Sequence, residues 1–357
     1  MAGLQPRVVD LGAFGGLQTA TAERHAFPLC LPPVFPLRPY PYSLYLGGVS
    51  AFLKRFRPDV VFIAGEPSEL GVAQVVRLAR RVVPGVRIVL YVLENLLLTW
   101  HGCPRCLRGW AERATLSRVD LFATATTGAM APLAAKGVLP ERIRLLHPGI
   151  AAEPFSRQDP TPVRRALGIP EGACHIGYVG RLVPEKGLDL LLSAFATLPA
   201  DCHLTLVGEG PDAAALQAMA AGLGIAARVH WTGRIPHADL PAYFSAFAVM
   251  ALPARGLPRW QEQFGLVLVE AMLCETPIIG STCGAIPEVL GEAGLTFMEG
   301  DSAALAGCLR QLLDDAALRA HLAAAGRRRA LATFSEEVYF PRMAAILREA
   351  VDLPLLR

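Results

Sequence analysis

The spacing of two glutamates is the feature of this sequence that most directly indicates a chemical function. Glu262 and Glu270 lie eight positions apart and bracket a Phe-Gly pair followed by an apolar run typical of a helix. A helix that begins near Gly265 would place Glu262 in the preceding loop and Glu270 in the second helical turn. The first backbone N–H groups would then be donors at the positive helix end, which suits a phosphate. These donors belong to Phe264, Gly265 and Leu266.

A second group of charged residues lies upstream, after a predicted strand. The apolar stretch 175–180 ends in Gly180, and the loop that follows contains Arg181 and Lys186. A helical pattern begins at Leu188. A strand, a glycine loop with two cations and a helix together predict a diphosphate site in a doubly wound α/β fold.

These motifs resemble two elements of the retaining GT-B glycosyltransferases of family four. The stretch from Glu262 to Glu270 resembles their E-x7-E element, and the stretch 180–187 resembles their G-R-x4-K-G loop. The resemblance covers most of the chain from Pro58 on and is specific over residues 175–290. It implies an α/β protein of two Rossmann-like, doubly wound domains facing a cleft.

The resemblance also implies a reaction and roles for individual residues. The expected reaction is retaining transfer of a sugar from a nucleotide-sugar donor to a hydroxyl acceptor, which is a glycan, a lipid-linked molecule or a small molecule. Glu262 would face the donor sugar and Glu270 the ribose, while Arg181 and Lys186 would neutralise the diphosphate. Further donor contacts are expected from Gly180, Gly208, Arg234, Phe264, Gly265 and Leu266.

The first part of the chain alternates predicted strands and helices, which indicates a parallel sheet with ligands at the carboxyl ends of its strands. Glu66, Glu94 and Asn95 follow such strands and are the candidate acceptor-side residues, although carboxylates at these positions are also common helix caps. Gly15 and Gly16 are either acceptor contacts or turn glycines. The six prolines within 28–41 exclude a regular helix there, so the first strand–helix unit is predicted to be shortened or lost.

A chain of 357 residues is too long for one core and suits two domains. We expect an acceptor-side domain over 1–152, a donor domain over 153–334, and a C-terminal helix over 335–357 that returns to the first domain. A net charge of +3 gives no case for nucleic acid. No apolar run approaches the roughly 18 residues of a membrane span, and no signal-peptide pattern is present. The expected setting is cytoplasmic, with peripheral contact at the inner membrane left open.

Metal and cofactor are both predicted to be absent. The sequence contains no Asp-x-Asp, the usual carboxylate clamp for a metal-bound sugar diphosphate, so the cations at Arg181 and Lys186 would take over charge neutralisation. The only close cysteine pair, Cys103 and Cys106, lacks a second pair and is weak evidence for zinc.

Two other functions remain open from the sequence. The reduced N-terminal domain is compatible with a nucleotide-sugar-binding protein that has lost transfer activity and serves as an assembly partner. A GT-B sugar-nucleotide epimerase is a third alternative, which the context of Glu262 and Glu270 disfavours.

Overall fold

The computed structural model describes residues 34–37, 42–45, 48–99 and 105–354. The chain forms two compact units. Unit 1 takes the chain up to Leu146 together with the stretch from Pro341 on, and unit 2 is His147–Phe340. Gly15 and Gly16 lie outside the described residues.

Unit 1 contains a parallel sheet and a separate pair of strands. Its strands are β1 (Val34–Leu37), β2 (Tyr42–Tyr45), β3 (Val60–Ala64), β4 (Arg87–Val92), β5 (Leu121–Thr124) and β6 (Ile143–Leu145). Its helices before Leu146 are α1 (Val49–Phe56), α2 (Leu70–Val82), α3 (Arg105–Leu116) and α4 (Met130–Ala135). Within the described residues β3 to β6 pair in sequence order, all parallel, while β1 and β2 form an antiparallel pair.

The central strands of unit 1 are buried along their whole length. Every residue of β4 and β5 is buried, as expected for apolar strands covered on both faces of a parallel sheet. The buried Asp120 joins the neighbouring elements, since its Oδ2 lies 2.7 Å from Nη2 of Arg80 and accepts the N–H of Ile88 at 2.6 Å. The described part of the proline-rich segment 28–41 is strand β1, which agrees with the expected lack of a helix there.

Unit 2 contains a six-stranded parallel sheet between helices. Its strands are β7 (Cys174–Val179), β8 (Cys202–Val207), β9 (Val229–Gly233), β10 (Val249–Leu252), β11 (Ile278–Ser281) and β12 (Leu295–Phe297). Its helices are α5 (Thr161–Ala166), α6 (Leu188–Ala196), α7 (Ala213–Gly222), α8 (Leu240–Ala246), α9 (Leu266–Leu273), α10 (Ile286–Leu290), α11 (Ser302–Asp314) and α12 (Ala316–Phe334). The last helix, α13 (Glu336–Asp352), begins in unit 2 and ends in unit 1.

The strand order of unit 2 is β12-β11-β10-β7-β8-β9. The chain therefore winds one way from β7 to β9 and the other way from β10 to β12. The direction reverses between β7 and β10, and the crevice at such a switch point is where open α/β sheets bind ligands. The predicted α/β class with two Rossmann-like parallel sheets is confirmed.

Candidate active site

The candidate residues of unit 2 follow the carboxyl ends of its central strands. Gly180 follows β7, Gly208 follows β8, and the connection from β10 to α9 contains Glu262. Lys186 ends a single 3-10 turn, Pro184–Lys186, between β7 and α6. The switch point of the sheet thus lies among these loops, because β7 and β10 are neighbours.

Lys186 and Glu262 form an ion pair in unit 2. The distance from Nζ to Oε2 is 2.5 Å, and only 14% and 10% of the two side chains are exposed. The Lys186 ammonium also lies 5.0 Å from the ring centroid of Trp260, which is a cation–π distance. Low exposure strengthens both interactions, because little water screens the charges. Two of the three residues predicted to be catalytic, Lys186 and Glu262, are therefore in direct contact, while the third is Arg181.

Glycines bring the loops after β7, β8 and β9 into backbone contact. A Cβ atom on Gly208 would lie 1.9 Å from the carbonyl oxygen of Gly180. The N–H of Gly180 donates to Val207, and the N–H of Gly208 donates to Gly233 at 2.8 Å. Close backbone packing thus requires a glycine at position 208, and Gly180 lies directly against it.

A further glycine fixes the backbone of Glu262. Gly284 has φ +56°, and a Cβ there would lie 2.2 Å from the carbonyl oxygen of Glu262. That same carbonyl accepts the N–H of Ala285 at 2.9 Å. The turn before α10 therefore holds the loop that contains Glu262 by its main chain.

The start of α9 lies where the sequence analysis places an anion site. Gly265 has a left-handed φ of 81° and precedes the first helical residue, Leu266. As a glycine, this N-cap residue has no side chain that could bind the first N–H groups of the helix. Phe264 is buried, and its ring centroid lies 5.4 Å from that of Phe334. A helix N-terminus of this kind can offer backbone donors to an anion, and the preceding phenylalanine anchors the turn.

Glu270 lies in the second turn of α9, as predicted, and has a histidine partner. Nε2 of His237 lies 2.9 Å from Oε1 of Glu270 and donates to the carboxylate. The His237 ring also packs edge-on against Phe155, with the centroids 5.2 Å apart. His237 therefore orients the carboxylate that the resemblance assigns to the ribose.

Two predicted cations extend towards solvent. The Arg181 side chain is 67% exposed and lies 3.3 Å from Glu185 in the same loop. Arg234 is exposed as well, and its backbone N–H donates to Oε1 of Glu209 at 3.4 Å. Of the predicted cations, Lys186 is the one that the structure places against Glu262.

Glu66 and Glu94 in unit 1 lie in a carboxylate-rich loop region. Oε1 of Glu66 accepts the backbone N–H groups of Leu93 and Glu94 at 3.0 and 2.9 Å. Burial raises the pKa of Glu66 to about 8 and the pKa of Glu69 to about 7. Burial also raises the pKa of Glu94. Glu66 thus stabilises the loop after β4 as a largely protonated carboxyl group at neutral pH.

A small cavity lies beside these carboxyl groups within unit 1. Its lining includes both predicted glutamates and two cations, Arg108 and Lys136. Lys136 forms an ion pair with Glu112. Asn95, the third predicted acceptor-side residue that the structure describes, is buried.

Trp260 and His237 are contacts that the sequence analysis did not predict. Neither belongs to a motif of fixed spacing, and both act by touching a motif residue from another part of the chain. For Trp260, its position two residues before Glu262 was a weak indication in the sequence that it lies near the site.

The described residues contain neither a metal centre nor a membrane-spanning helix. There, no group of three or more His, Cys, Asp or Glu side chains could hold a metal ion. No helix in the same part of the chain is both long enough and apolar enough to cross a bilayer.

Two protein-family models match the chain. The model described as glycosyl transferases group 1 matches residues 161–329. The model described as glycosyl transferase 4-like domain matches residues 3–149. The first lies in unit 2 and contains the residues of the candidate active site, and the second falls within the sequence of unit 1.

Curated relatives include two proteins named as D-inositol 3-phosphate glycosyltransferases. One, from Catenulispora acidiphila, is 32% identical over 256 residues, which is 68% of this chain and 60% of that protein. Another, from Acidothermus cellulolyticus, is 34% identical over 201 residues, or 52% of this chain and 43% of that protein. The match therefore spans about half the length of these relatives.

Solved structures show the same fold. HepE from Anabaena in complex with UDP matches with a TM-score of 0.73 and 20% identity, covering 84% of this chain and 81% of that one. Sucrose-phosphate synthase from Thermosynechococcus elongatus matches with a TM-score of 0.68 and 25% identity, covering 84% and 75%.

Proposed function

We propose, since this chain belongs to the GT-B glycosyltransferases of family four, that it moves a sugar from a nucleotide-sugar donor to an acceptor hydroxyl with retention of configuration. The observation that carries the proposal is the buried pair of Lys186 and Glu262. It lies among the loops of the switch point in unit 2, where α/β sheets bind their ligands.

The bond changes of the proposed reaction need no protein nucleophile. The bond between the anomeric carbon and the phosphate oxygen breaks, and its electron pair leaves with the diphosphate. The acceptor oxygen forms the new bond on the same face, and its proton passes to the departing phosphate. Negative charge therefore grows on the diphosphate, and groups that bind this charge more tightly in the transition state accelerate the reaction.

Lys186 and the N-terminus of α9 are the groups that we assign to the diphosphate. An ammonium has three N–H donors, so Lys186 can keep its bond to Glu262 and still donate to a phosphate oxygen. The helix N-terminus adds backbone donors and the positive end of its dipole. Arg181 is exposed and would turn onto the diphosphate when the donor binds.

Glu262 and Glu270 are assigned to different parts of the donor. Glu262 would contact the transferred sugar, and its bond to Lys186 couples the sugar contact to the diphosphate contact. Glu270, oriented by His237, would accept hydrogen bonds from the ribose hydroxyls. Gly180 and Gly208 lie in the loops after β7 and β8, and we assign them to the donor-binding site formed by these loops.

A donor and acceptor panel with product analysis tests the proposed reaction. UDP-sugars come first because HepE was solved with UDP and with UDP-glucose, and D-inositol 3-phosphate joins the glycan and lipid-linked acceptors because relatives are named for it. An α-linked product from an α-linked donor, measured by NMR, is the expected result. Donor binding without turnover would favour an assembly partner, and an isomerised donor would favour an epimerase.

Metal independence is part of the proposal, because Lys186 and Arg181 supply the positive charge that a metal would supply. Transfer should therefore keep its rate in excess EDTA. Loss of activity in EDTA with recovery on adding Mg²⁺ or Mn²⁺ would contradict this part of the mechanism.

Peripheral membrane contact through unit 1 is a further part of the proposal. The sequence of unit 1 contains 20 Lys and Arg against 11 Asp and Glu, whereas unit 2 contains 14 against 20. On α3, Leu107 and Trp110 are 51% and 47% exposed, and Arg113 is exposed beside them. Cations around exposed apolar side chains suit a bilayer with anionic lipids.

Vesicle sedimentation tests this membrane contact. Wild-type protein should sediment with vesicles containing phosphatidylglycerol and remain in solution with phosphatidylcholine alone. Trp110→Ala should weaken binding, while Leu331→Ala, which alters an exposed apolar residue of unit 2, should not. Equal binding to both vesicle types would contradict the proposal.

A further inference from the structure

Arg255 connects the two segments that carry the catalytic ion pair. It lies in the connection from β10 to α9, the same connection that contains Glu262. Its backbone N–H donates to the carbonyl of Glu185 at 2.9 Å. Its side-chain Nε donates to the carbonyl of Pro184 at 3.0 Å. Both carbonyls belong to the 3-10 turn that ends at Lys186.

The remaining guanidinium donors of Arg255 bind a carboxylate beyond Lys186. Nη1 and Nη2 donate to the two oxygens of Asp189 at 3.0 and 2.6 Å. Arg255 therefore contacts the chain on both sides of Lys186. A second close approach lies beside it, because a Cβ on Gly187 would be 2.1 Å from the carbonyl oxygen of Pro253.

The planar guanidinium is well suited to this arrangement. It directs Nε to a carbonyl and both Nη atoms to a carboxylate at the same time, in a fixed plane. A lysine at this position would present its donors from a single nitrogen on a flexible chain. The contact thus fixes the path of the 184–189 segment relative to the connection that bears Glu262.

We propose that Arg255 is a positioning residue that holds the Lys186 ammonium beside Glu262, ready for the donor diphosphate. The inference rests on the proposed function of Lys186 and goes beyond it, since Arg255 belongs to neither recognised motif. Without Arg255, the turn that carries Lys186 would move more freely, and donor binding would have to restore its order.

A purely structural role makes a different prediction. The Arg255 and Asp189 side chains are partly exposed, and such ion pairs contribute little to stability. In that case the loss of Arg255 would lower the melting temperature slightly. Its effect on ligand binding would then be the same whether or not Lys186 is present.

A double-mutant cycle separates these roles. The full chain and the variants Arg255→Ala, Lys186→Ala and the double variant are titrated by calorimetry with UDP, or with GDP or ADP where one of these binds the wild type better. With Lys186 present, Arg255→Ala should weaken nucleoside diphosphate binding about tenfold. In the Lys186→Ala background it should change the affinity by less than about twofold, because residues that act through one another are not additive.

Additional variants distinguish a local effect on Lys186 from a general loss of folding. Asp189→Asn keeps the volume and removes the charge, and it should weaken binding in the same direction by a smaller factor. Arg255→Lys should restore only part of the affinity. Arg228→Ala is the matched control, because Arg228 also donates to backbone carbonyls, those of Pro199 and Cys202, at a site distant in sequence from the 184–189 segment.

The outcomes distinguish the inference from the proposed function. Equal losses in both backgrounds would overturn the positioning role and leave the diphosphate site intact. If Lys186→Ala itself binds the nucleoside diphosphate as tightly as wild type, the proposed function of Lys186 fails and the inference fails with it.

Discussion

The loops that follow the strands are fixed by different means in the two units. In unit 2, backbone packs directly on backbone, as where Gly208 meets the carbonyl of Gly180 and Gly284 meets that of Glu262. In unit 1, a side chain holds the loop after β4, because the carboxyl group of Glu66 accepts the N–H groups of Leu93 and Glu94.

This difference explains why the two halves of the sequence are unequally informative. A backbone contact at about 2 Å from a would-be Cβ admits only glycine, so the requirement is visible as glycines at fixed positions. A loop held by a carboxyl group could be held equally well by an amide or a hydroxyl. Residues 175–290 therefore carry specific motifs, while the first part of the chain does not.

The largest expected effect tests whether the chemistry belongs to unit 2. Lys186→Ala should reduce turnover by about two orders of magnitude or more, because a donor to the developing charge is lost. Steady-state transfer kinetics measure it, with circular dichroism to establish folding. The control is Lys54→Ala, which removes an exposed lysine of unit 1. Near-normal turnover for Lys186→Ala would mean that this loop does not bind the diphosphate.

The two glutamates of unit 2 should differ in their kinetic effect. Glu262→Gln should mainly lower kcat, because its contacts with the sugar and with Lys186 change during the reaction. Glu270→Gln should mainly raise the KM for the donor, because the ribose is bound equally in the ground and transition states.

Glu262→Gln should also lower the melting temperature, since it leaves a buried ammonium without its counter-charge. Melting alone is therefore not decisive for this residue. A lower melting temperature with a normal kcat would show that Glu262 serves stability only.

The sequence predicted those parts of the site that depend on local order along the chain. The start of α6 at Leu188, the start of α9 after Gly265, and the loop position of Glu262 were all predicted correctly. The contacts of Trp260 and His237 were not predicted, because each joins residues distant in sequence through side chains alone. The direct bond between Lys186 and Glu262, 76 positions apart, likewise required the fold.

Glycine substitutions test the backbone contacts that distinguish unit 2. Gly85→Ala in unit 1 meets no atom within 4 Å, so it should cost only the strain of its positive φ, about 1–2 kcal/mol. Gly208→Ala adds a clash with the Gly180 carbonyl and should cost at least about 3 kcal/mol. Urea unfolding measures both values. Equal costs would show that the contact at Gly208 relaxes easily.

A pH dependence of stability tests the carboxyl-held loop of unit 1. The pKa of Glu66 is raised to about 8 by burial, so between its ordinary range and pH 8 the folded state keeps a proton that the unfolded state releases. Its contribution to stability is therefore complete in acid and is lost as the pH rises towards 8. For one proton the slope cannot exceed about 1.4 kcal/mol per pH unit.

Glu66→Gln removes this proton while retaining an acceptor for the two N–H groups, so the variant should lose less stability than wild type between pH 5 and 8.5. The slope should fall without vanishing, since the raised pKa values of Glu69 and Glu94 act with the same sign. Urea unfolding at several pH values measures it, with Glu141→Gln as an exposed control in the same unit. Parallel curves for wild type and Glu66→Gln would mean that the loop is not held by a protonated carboxyl group, and the contrast between the two units would then rest on the glycine contacts alone.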